Sequence, residues 1–561
     1  MYAIVKIGIV SSFLLACAMG CARTDPTGPS GSNPAANAVG DRSIGFPSTG
    51  ITVADQAILL AIDDVSLPLR HNACYYLSKP TLRQEAVLKP SSDPNAPDNL
   101  ATTFYGTVLH DKGKFRMWYY AAHSGMNPDW PPRMKQQVAK QRPSMIMGPI
   151  CYAESDDGIT WKKPALGQVL FKGSRENNAL ALPHTVVAGV AVIRDDDETD
   201  PAKRYKMVYE YFPNRSDPPI EEFGKSPSVA MATSPDGLRW TMVGMPFKGD
   251  YVEHCSFIKH NGWYIIHSHS FDKFAGGVRS EGGAKAGRVG VARLSSDFGT
   301  WPKYWCSAFA LPEPADPNLR GSHGDYDQVH LGVGAASLGN VCVGLYGLWH
   351  NKPWDASSQK TCDLGLVVSN DGLQFREPVK GHVFISHKDS PAPAPKEADI
   401  PYDTALCQGN GIVNVGDETR IYYSRWRTVN LQSLAHHYSD IVMATLPRDR
   451  WGALGIVPGA DEGLVCSAPV RLPAGPVSLA MNIDGAAGMA VDVLDERFAP
   501  VEGFSGTSAG RCVGGDGLDR PVRWTGGDLS ALGGRTVRFQ VRLTGTPKVQ
   551  PRLYAMYVRA K

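Results

Sequence analysis

The sequence lacks any excess of charge: 57 Lys and Arg stand against 55 Asp and Glu over 561 residues, a formal net charge of +2 with no long basic run. Nucleic-acid binding needs a basic stripe along the phosphates, so that class of partner is excluded. Cys-x-x-Cys pairs are absent, and no Cys and His spacing suits a structural zinc. Helical periodicity is absent as well. Apolar residues alternate with period two, which excludes helical solenoids. Beyond the first 21 residues no apolar run approaches the roughly 20 residues that a bilayer span requires.

Turn formers are plentiful, with 58 Gly and 42 Pro, as expected of many short strands. Near the start, Lys6 precedes the apolar run IGIVSSFLLACAMG, which suits a signal-peptide core. It ends in LLAC and then AMGC. Each resembles a bacterial lipobox, in which small residues precede a Cys that takes lipid and becomes the new N-terminus. Residues 1–21 are therefore expected to be a lipoprotein signal peptide with Cys21 as the lipidated residue, Cys17 being the alternative and a simple cleaved signal the other reading. Residues 22–49, rich in Pro, Gly, Ser, Asn and Ala, have no means of burying a core and read as a flexible linker. The expected location is the periplasm or outer surface of a bacterium, with membrane contact only through the N-terminal lipid. Nine cysteines follow, an odd number, so at least one stays a free thiol even where export permits disulfides.

Five segments share one pattern: SDDGITW (155–161), SPDGLRW (234–240), SSDFGTW (295–301), SNDGLQF (369–375) and TLPRDRW (445–451). Their aromatics lie 79, 61, 74 and 76 residues apart. Ser and Asp side chains can bond the turn backbone, and Gly supplies a positive φ. Before each turn comes an apolar strand. Further upstream lie GKFRMWYYA, KRYKMVYEY, NGWYIIHSHS, GNVCVGLYGLW and ETRIYYSRW, all strand formers. Each is preceded by one more strand: TTFYGTVLH, TVVAGVAVI, CSFIKH, QVHLGVGAASL and GNGIVNV. The period thus reads as one four-stranded propeller blade, repeated five times. A sialidase is the nearest confusion, but the turn is one residue short of its S-x-D-x-G-x-x-W box and no arginine triad stands out. The expected fold is all-β: a five-bladed β-propeller over 50–455 and, where short alternating strands take over, a C-terminal β-sandwich over 456–561.

The blade order, the strand pattern GKFRMWY followed by SxDGxxW, and the terminal sandwich resemble glycoside hydrolases of families 32 and 43. The segment YVEHCSFIKHNGWYIIHSH (251–269) resembles their third-blade signature, in which a Glu opens the inner strand. The resemblance implies a sugar-cleaving enzyme working through two carboxyl groups, one protonating the leaving oxygen and the other activating water or attacking the sugar. It implies no organic cofactor and allows a structural Ca²⁺ in the axial channel.

Residues at the start of each inner strand converge on one funnel. Glu253 is there the expected general acid. Asp98, ahead of the first inner strand, is the candidate base or nucleophile, although Phe104 and Tyr105 occupy the place where the families carry an Asp. Asp98 equally suits a turn in SSDPNAPDN. In the second blade His184 stands where an Asp is expected, and Asp195, Asp196 and Asp197 at the far end read as a solvated turn. The fourth blade offers His323, Asp325, Asp327 and His330, with Asp327 preferred as the missing carboxylate. Asp403, Gln408 and Asn410 of the fifth blade, and His254 beside Glu253, are candidate hydroxyl-binding groups. Trp349, His350 and Trp426 are candidate walls for a sugar ring. His267 and His269 form an H-x-H pair that reads as a metal pair or as satisfied strand histidines. The expected activity is exo-acting glycoside hydrolysis on a plant, algal or microbial glycan. The alternatives are a sugar phosphorylase or lyase, for which Arg425 and Arg427 would supply a phosphate pocket, and a carbohydrate-binding propeller without catalysis.

Overall fold

The structure is a computed structural model that describes residues 50–132, 135–136, 139, 146–184, 186–212, 228–247, 250–270, 287–312, 326–350, 360–396, 400–428 and 436–561. The signal peptide and linker expected over 1–49, together with His323 and Asp325, lie outside the described residues. No helix among the described residues is long and apolar enough to cross a membrane.

The chain folds as a five-bladed β-propeller joined to a β-sandwich. Blade 1 runs through Ala101–Asp111, Lys114–His123 and Ile146–Ser155; blade 2 through Val187–Arg194, Tyr205–Tyr211, Ser228–Ser234 and Thr241–Gly244. Blade 3 holds Glu253–His260, Trp263–Ser270, Val289–Ser295 and Cys306–Phe309; blade 4 holds Asp327–Ser337, Cys342–His350, Thr361–Ser369 and Val383–Ile385. Blade 5 has a broken inner strand, Asp403–Cys407 then Ile412–Val415, followed by Glu418–Thr428 and Tyr438–Pro447. The inner strands of blades 1 to 4 and Ile412–Val415 of blade 5 fall on segments the repeat predicts, while Asp403–Cys407 lies ahead of the expected GNGIVNV.

The SxDG turns explain why the repeat exists. Ser155 Oγ accepts the Gly158 N–H at 2.8 Å, and Asp157 Oδ1 accepts those of Ile159 and Thr160 at 2.8 and 2.7 Å. Gly158 has φ +73°, a conformation that a side chain disfavours. The turns also staple blades together. Tyr422 of blade 5 donates to the Gly158 carbonyl, Trp118 of blade 1 to Gly237, and His267 of blade 3 lies 2.7 Å from the Gly372 carbonyl. His267 also bonds Ser256 Oγ at 2.8 Å, so this member of the H-x-H pair is a buried structural histidine.

The N-terminal part of the segment expected to be propeller belongs elsewhere. Ile51–Thr52, Gln56–Leu60, Leu69–His71 and Ala73–Leu77 all pair with C-terminal strands and complete the two sheets of the sandwich. Gly452–Ile456, just after the last repeat, pairs there too. Thr81–Leu82 then adds to Tyr438–Pro447 as the outer strand of blade 5, so the ring is closed by the beginning of the chain. One apolar cluster crosses the join: Ile58, Leu60, Ala480 and Tyr557 of the sandwich pack with Leu345, Leu364, Tyr423 and Trp451. Each such side chain contributes roughly 1.5–3 kcal/mol on burial, which makes sandwich and propeller one packed body.

Candidate active site

Glu253 opens the inner strand of blade 3 and pairs directly with His269 on the neighbouring strand. Cross-strand partners project to the same face. Glu253 Oε2 lies 3.2 Å from His269 Nε2, with the Glu side chain 30% exposed and the His 1%. The Tyr251 hydroxyl donates to the same oxygen. Burial raises the Glu253 pKa, against the Tyr251 bond and the charge of Arg288. His330 stacks on His269 at 6.4 Å and on Trp349 at 4.6 Å, and its Nδ1 stands 3.1 Å from the Tyr105 hydroxyl. Burial first, then Arg288, holds both histidines neutral. The Arg288 guanidinium lies 5.3 Å over Trp349, and Tyr105 packs edge-on to Trp426 at 5.4 Å. Acid, cation and aromatic rings thus meet at one end of the propeller.

A second acid, Glu210, stands on the neighbouring blade. On the strand Tyr205–Tyr211, Tyr209 and Tyr211 pack on His184 and the blade 1 side. Alternation therefore turns Glu210 with Val208 toward blade 3. Burial raises the pKa of Tyr251 and of Tyr120, and the charges of Glu253 and Glu210 push each of them further. Glu210 is buried. Sequence reasoning passed over it, although an acid inside the apolar run YKMVYEY was a signal. It also passed over Tyr251, Arg288, Tyr105 and Tyr120.

The other expected carboxylates go elsewhere. Asp98 is 1% exposed, pairs with Lys163 and accepts the Tyr119 hydroxyl at 2.8 Å. Tyr119 and Tyr120 point to opposite faces of their strand, so Asp98 sits in the blade 1 interior and Glu253 on the other side. Asp327 is also displaced. Its strand puts Val329 in the core between blades 3 and 4 and turns Gln328 and His330 to the opposite face, so Asp327 shares the Val329 side and bonds His350 Nδ1 at 2.9 Å. His350 is itself held between Asp327 and Asp363, and is no sugar wall. Asp403 lines a cleft of about 790 Å³ with Lys79, His350, Asp363 and His387. His184 is buried against Tyr209 and Tyr211, and His254 is buried against Gly189. Asp195 is no solvated turn residue: burial raises it, but bonds from Lys259, Tyr264 and Lys206 hold its carboxyl at about 2. Arg425 grips Asp440 through two bonds of 2.9 and 2.7 Å, and Arg427 donates to the carbonyls of His436 and Pro393, so neither forms the expected phosphate pocket.

Gln408 and Asn410 close the axis instead of binding sugar. Gln408 Nε2 donates to the carbonyls of His330 and Gly332 at 2.8 and 2.9 Å, and Asn410 Oδ1 accepts the Phe257 N–H at 3.0 Å. Backbones touch there: a Cβ on Gly409 would meet the Gly106 carbonyl at 2.6 Å, and one on Gly334 the Gly409 carbonyl at 2.6 Å. Amide side chains and glycine backbones fill the axis, and no group of three or more His, Cys, Asp or Glu among the described residues could hold a metal.

No protein-family model and no curated protein matches the chain. Solved structures do. A glycoside hydrolase fold from Parabacteroides distasonis aligns at 15% identity and TM-score 0.38, over 66% of this chain and 96% of its own. A structure from work on family 130 mannoside phosphorylases, and on the glycoside hydrolases among them that target β-1,2-mannosidic linkages in Candida mannan, aligns at 16% and 0.39, over 67% and 95%. The β-1,2-mannobiose phosphorylase of Listeria innocua aligns at 13% and 0.36, over 64% and 96%. The chain is thus similar to glycoside hydrolases and phosphorylases.

Proposed function

We propose that the chain is an exported, lipid-anchored glycosidase that cleaves the end sugar of a plant, algal or microbial glycan, with Glu253 as general acid and Glu210 as its partner. What supports this reading is a partly exposed carboxyl whose pKa burial raises, together with the buried Glu210, both of whose charges act on Tyr251 and Tyr120. Glu253 would pass its proton to the glycosidic oxygen as the C–O bond breaks. Glu210 would take a proton from the attacking water, or attack the sugar itself where the two carboxyls stand about 5–5.5 Å apart. The axis closed by Gln408 and Asn410 gives the funnel a blind end, which suits a chain terminus.

The test is a glycan panel run with Glu253→Gln and Glu210→Gln, with and without phosphate. Each variant is expected to lose about 10²–10⁴-fold in turnover with its fold intact. Full activity in either variant would remove that residue from the mechanism. Arg288 favours a phosphorylase as the second reading, because it brings the site a cation that an attacking phosphate would need. Turnover only in phosphate would establish that reading, and binding without turnover in either buffer would leave a carbohydrate-binding protein.

A further inference from the structure

The inner strand of blade 4 is irregular where it passes the site. Leu331 has φ +58° and Gly332 φ +90°, and the pairing register slips between His330 and Val333. A left-handed leucine is costly backbone, kept only where its surroundings demand it. Three neighbours hold it here. Gln408 Nε2 donates to the carbonyls of His330 and Gly332, the Leu331 N–H donates to His269 Nδ1 at 3.2 Å, and a Cβ on Gly347 would meet that of His330 at 3.0 Å. What this backbone fixes in place is the His330 ring. Trp349 stacks on it at 4.6 Å with 21° between the planes, and His269 runs nearly parallel to it at 6.4 Å and 26°. Its Nδ1 is taken by the Tyr105 hydroxyl at 3.1 Å. The Nε2 has no hydrogen-bond partner among the described residues and is not shut off from solvent, the residue keeping 9% of its surface exposed. Of the groups on this ring, Nε2 is the polar one left uncommitted.

We propose that His330 is a specificity-determining residue of this site, and that its Nε2 hydrogen-bonds one hydroxyl of the sugar bound beside Glu253. This rests on the reading of the funnel as a sugar site. His269 links the two groups: Glu253 is its cross-strand partner, and His330 lies parallel to its ring, so a sugar at Glu253 reaches the edge of His330. A hydroxyl both donates and accepts, and therefore suits either tautomer of the imidazole. A ring already stacked and locked by its backbone loses little freedom on binding and aims its nitrogen in one direction. It selects one hydroxyl position, because a site built to bond a hydroxyl rejects the sugar that lacks it. The bulge is then a recognition device, since it sets where the strand aims this side chain.

The experiment is nuclear magnetic resonance of the full chain, isotope-labelled at its histidine ring nitrogens and titrated with D-mannose, D-glucose, D-galactose, D-xylose and L-arabinose. The His330 signals are identified by their loss in His330→Phe, which keeps a ring on Trp349. At least one of these sugars should shift the His330 Nε2 signal, and one monodeoxy form of that sugar should fail to shift it. His330→Phe should bind the parent sugar roughly 2–10-fold more weakly and that monodeoxy form as well as wild type does. An Nε2 signal that none of these sugars moves, or a Phe variant that binds the parent sugar like wild type, would overturn the proposal. Should His330→Phe not fold, Tyr105→Phe identifies the same signals through the change at Nδ1, and the titrations of wild type with the parent and monodeoxy sugars then decide. None of these readings needs turnover. Full activity in Glu253→Gln, which would remove the acid, is thus told apart from a silent His330, which would remove the recognition.

Discussion

Asp98 is where residue type and tertiary position disagree most, and replacing it by Ala separates them. The carboxylate is 1% exposed; it accepts Tyr119 at 2.8 Å and pairs with Lys163, which is 23% exposed. Breaking a buried pair from one side costs about 3–5 kcal/mol. Lys163 reaches some solvent and keeps the Lys89 carbonyl at 2.7 Å, and Tyr119 keeps the Asn178 amide at 2.8 Å. The expected loss is therefore lower, about 2–4 kcal/mol. Asp98→Asn retains an acceptor for Tyr119 and should lose about half as much. The assay is thermal unfolding of the full chain beside wild type and Glu253→Gln. Asp98→Ala should melt several degrees lower, with turnover close to wild type below its transition. Glu253→Gln should do the reverse. An unchanged Tm together with a turnover loss as deep as that of Glu253→Gln would return Asp98 to the chemistry and refute its burial as the deciding fact.

Two further outcomes concern pH and the axis. His350 gains bonds from Asp327 and then Asp363, which lift it from 6.5 to about 9. A pKa raised on folding gives stability that is complete below about 6.5 and lost as pH climbs through about 9. The Tm gap between wild type and His350→Gln should accordingly be widest near neutral pH or below and close by about pH 10; a gap independent of pH would dismiss the paired imidazolium. On the axis, a Cβ at Gly334 would meet the Gly409 carbonyl at 2.6 Å, whereas Gly244 has nothing within 4 Å. Gly334→Ala should cost about 1–3 kcal/mol or more in unfolding experiments, Gly244→Ala next to nothing, and equal Tm values for the two would mean that the axis is looser than described.

The blades were legible in the sequence because their signal is local. Ser155, Asp157 and Gly158 bond within a few residues of one another, and so do their counterparts in the later copies. Glu253 was legible for the same reason, standing at the start of a recognisable strand. The sequence by itself thus determined the number of blades, the inner strands of blades 1 to 4 and the second half of that of blade 5. Only the tertiary structure decided the rest, since nothing local fixes which distant strand a segment joins or which face a residue takes after a bulge. Residues 51–77 join the sandwich across some 400 residues of chain because that is where their apolar faces find cover. Register slips between Thr103 and Thr107, His254 and Ser256, and His330 and Val333 shift which side chains face the funnel. Counting residues along a strand therefore chose Asp327 and Asp98, while packing brought Tyr251 and His269 to Glu253 and put Glu210 on the neighbouring blade.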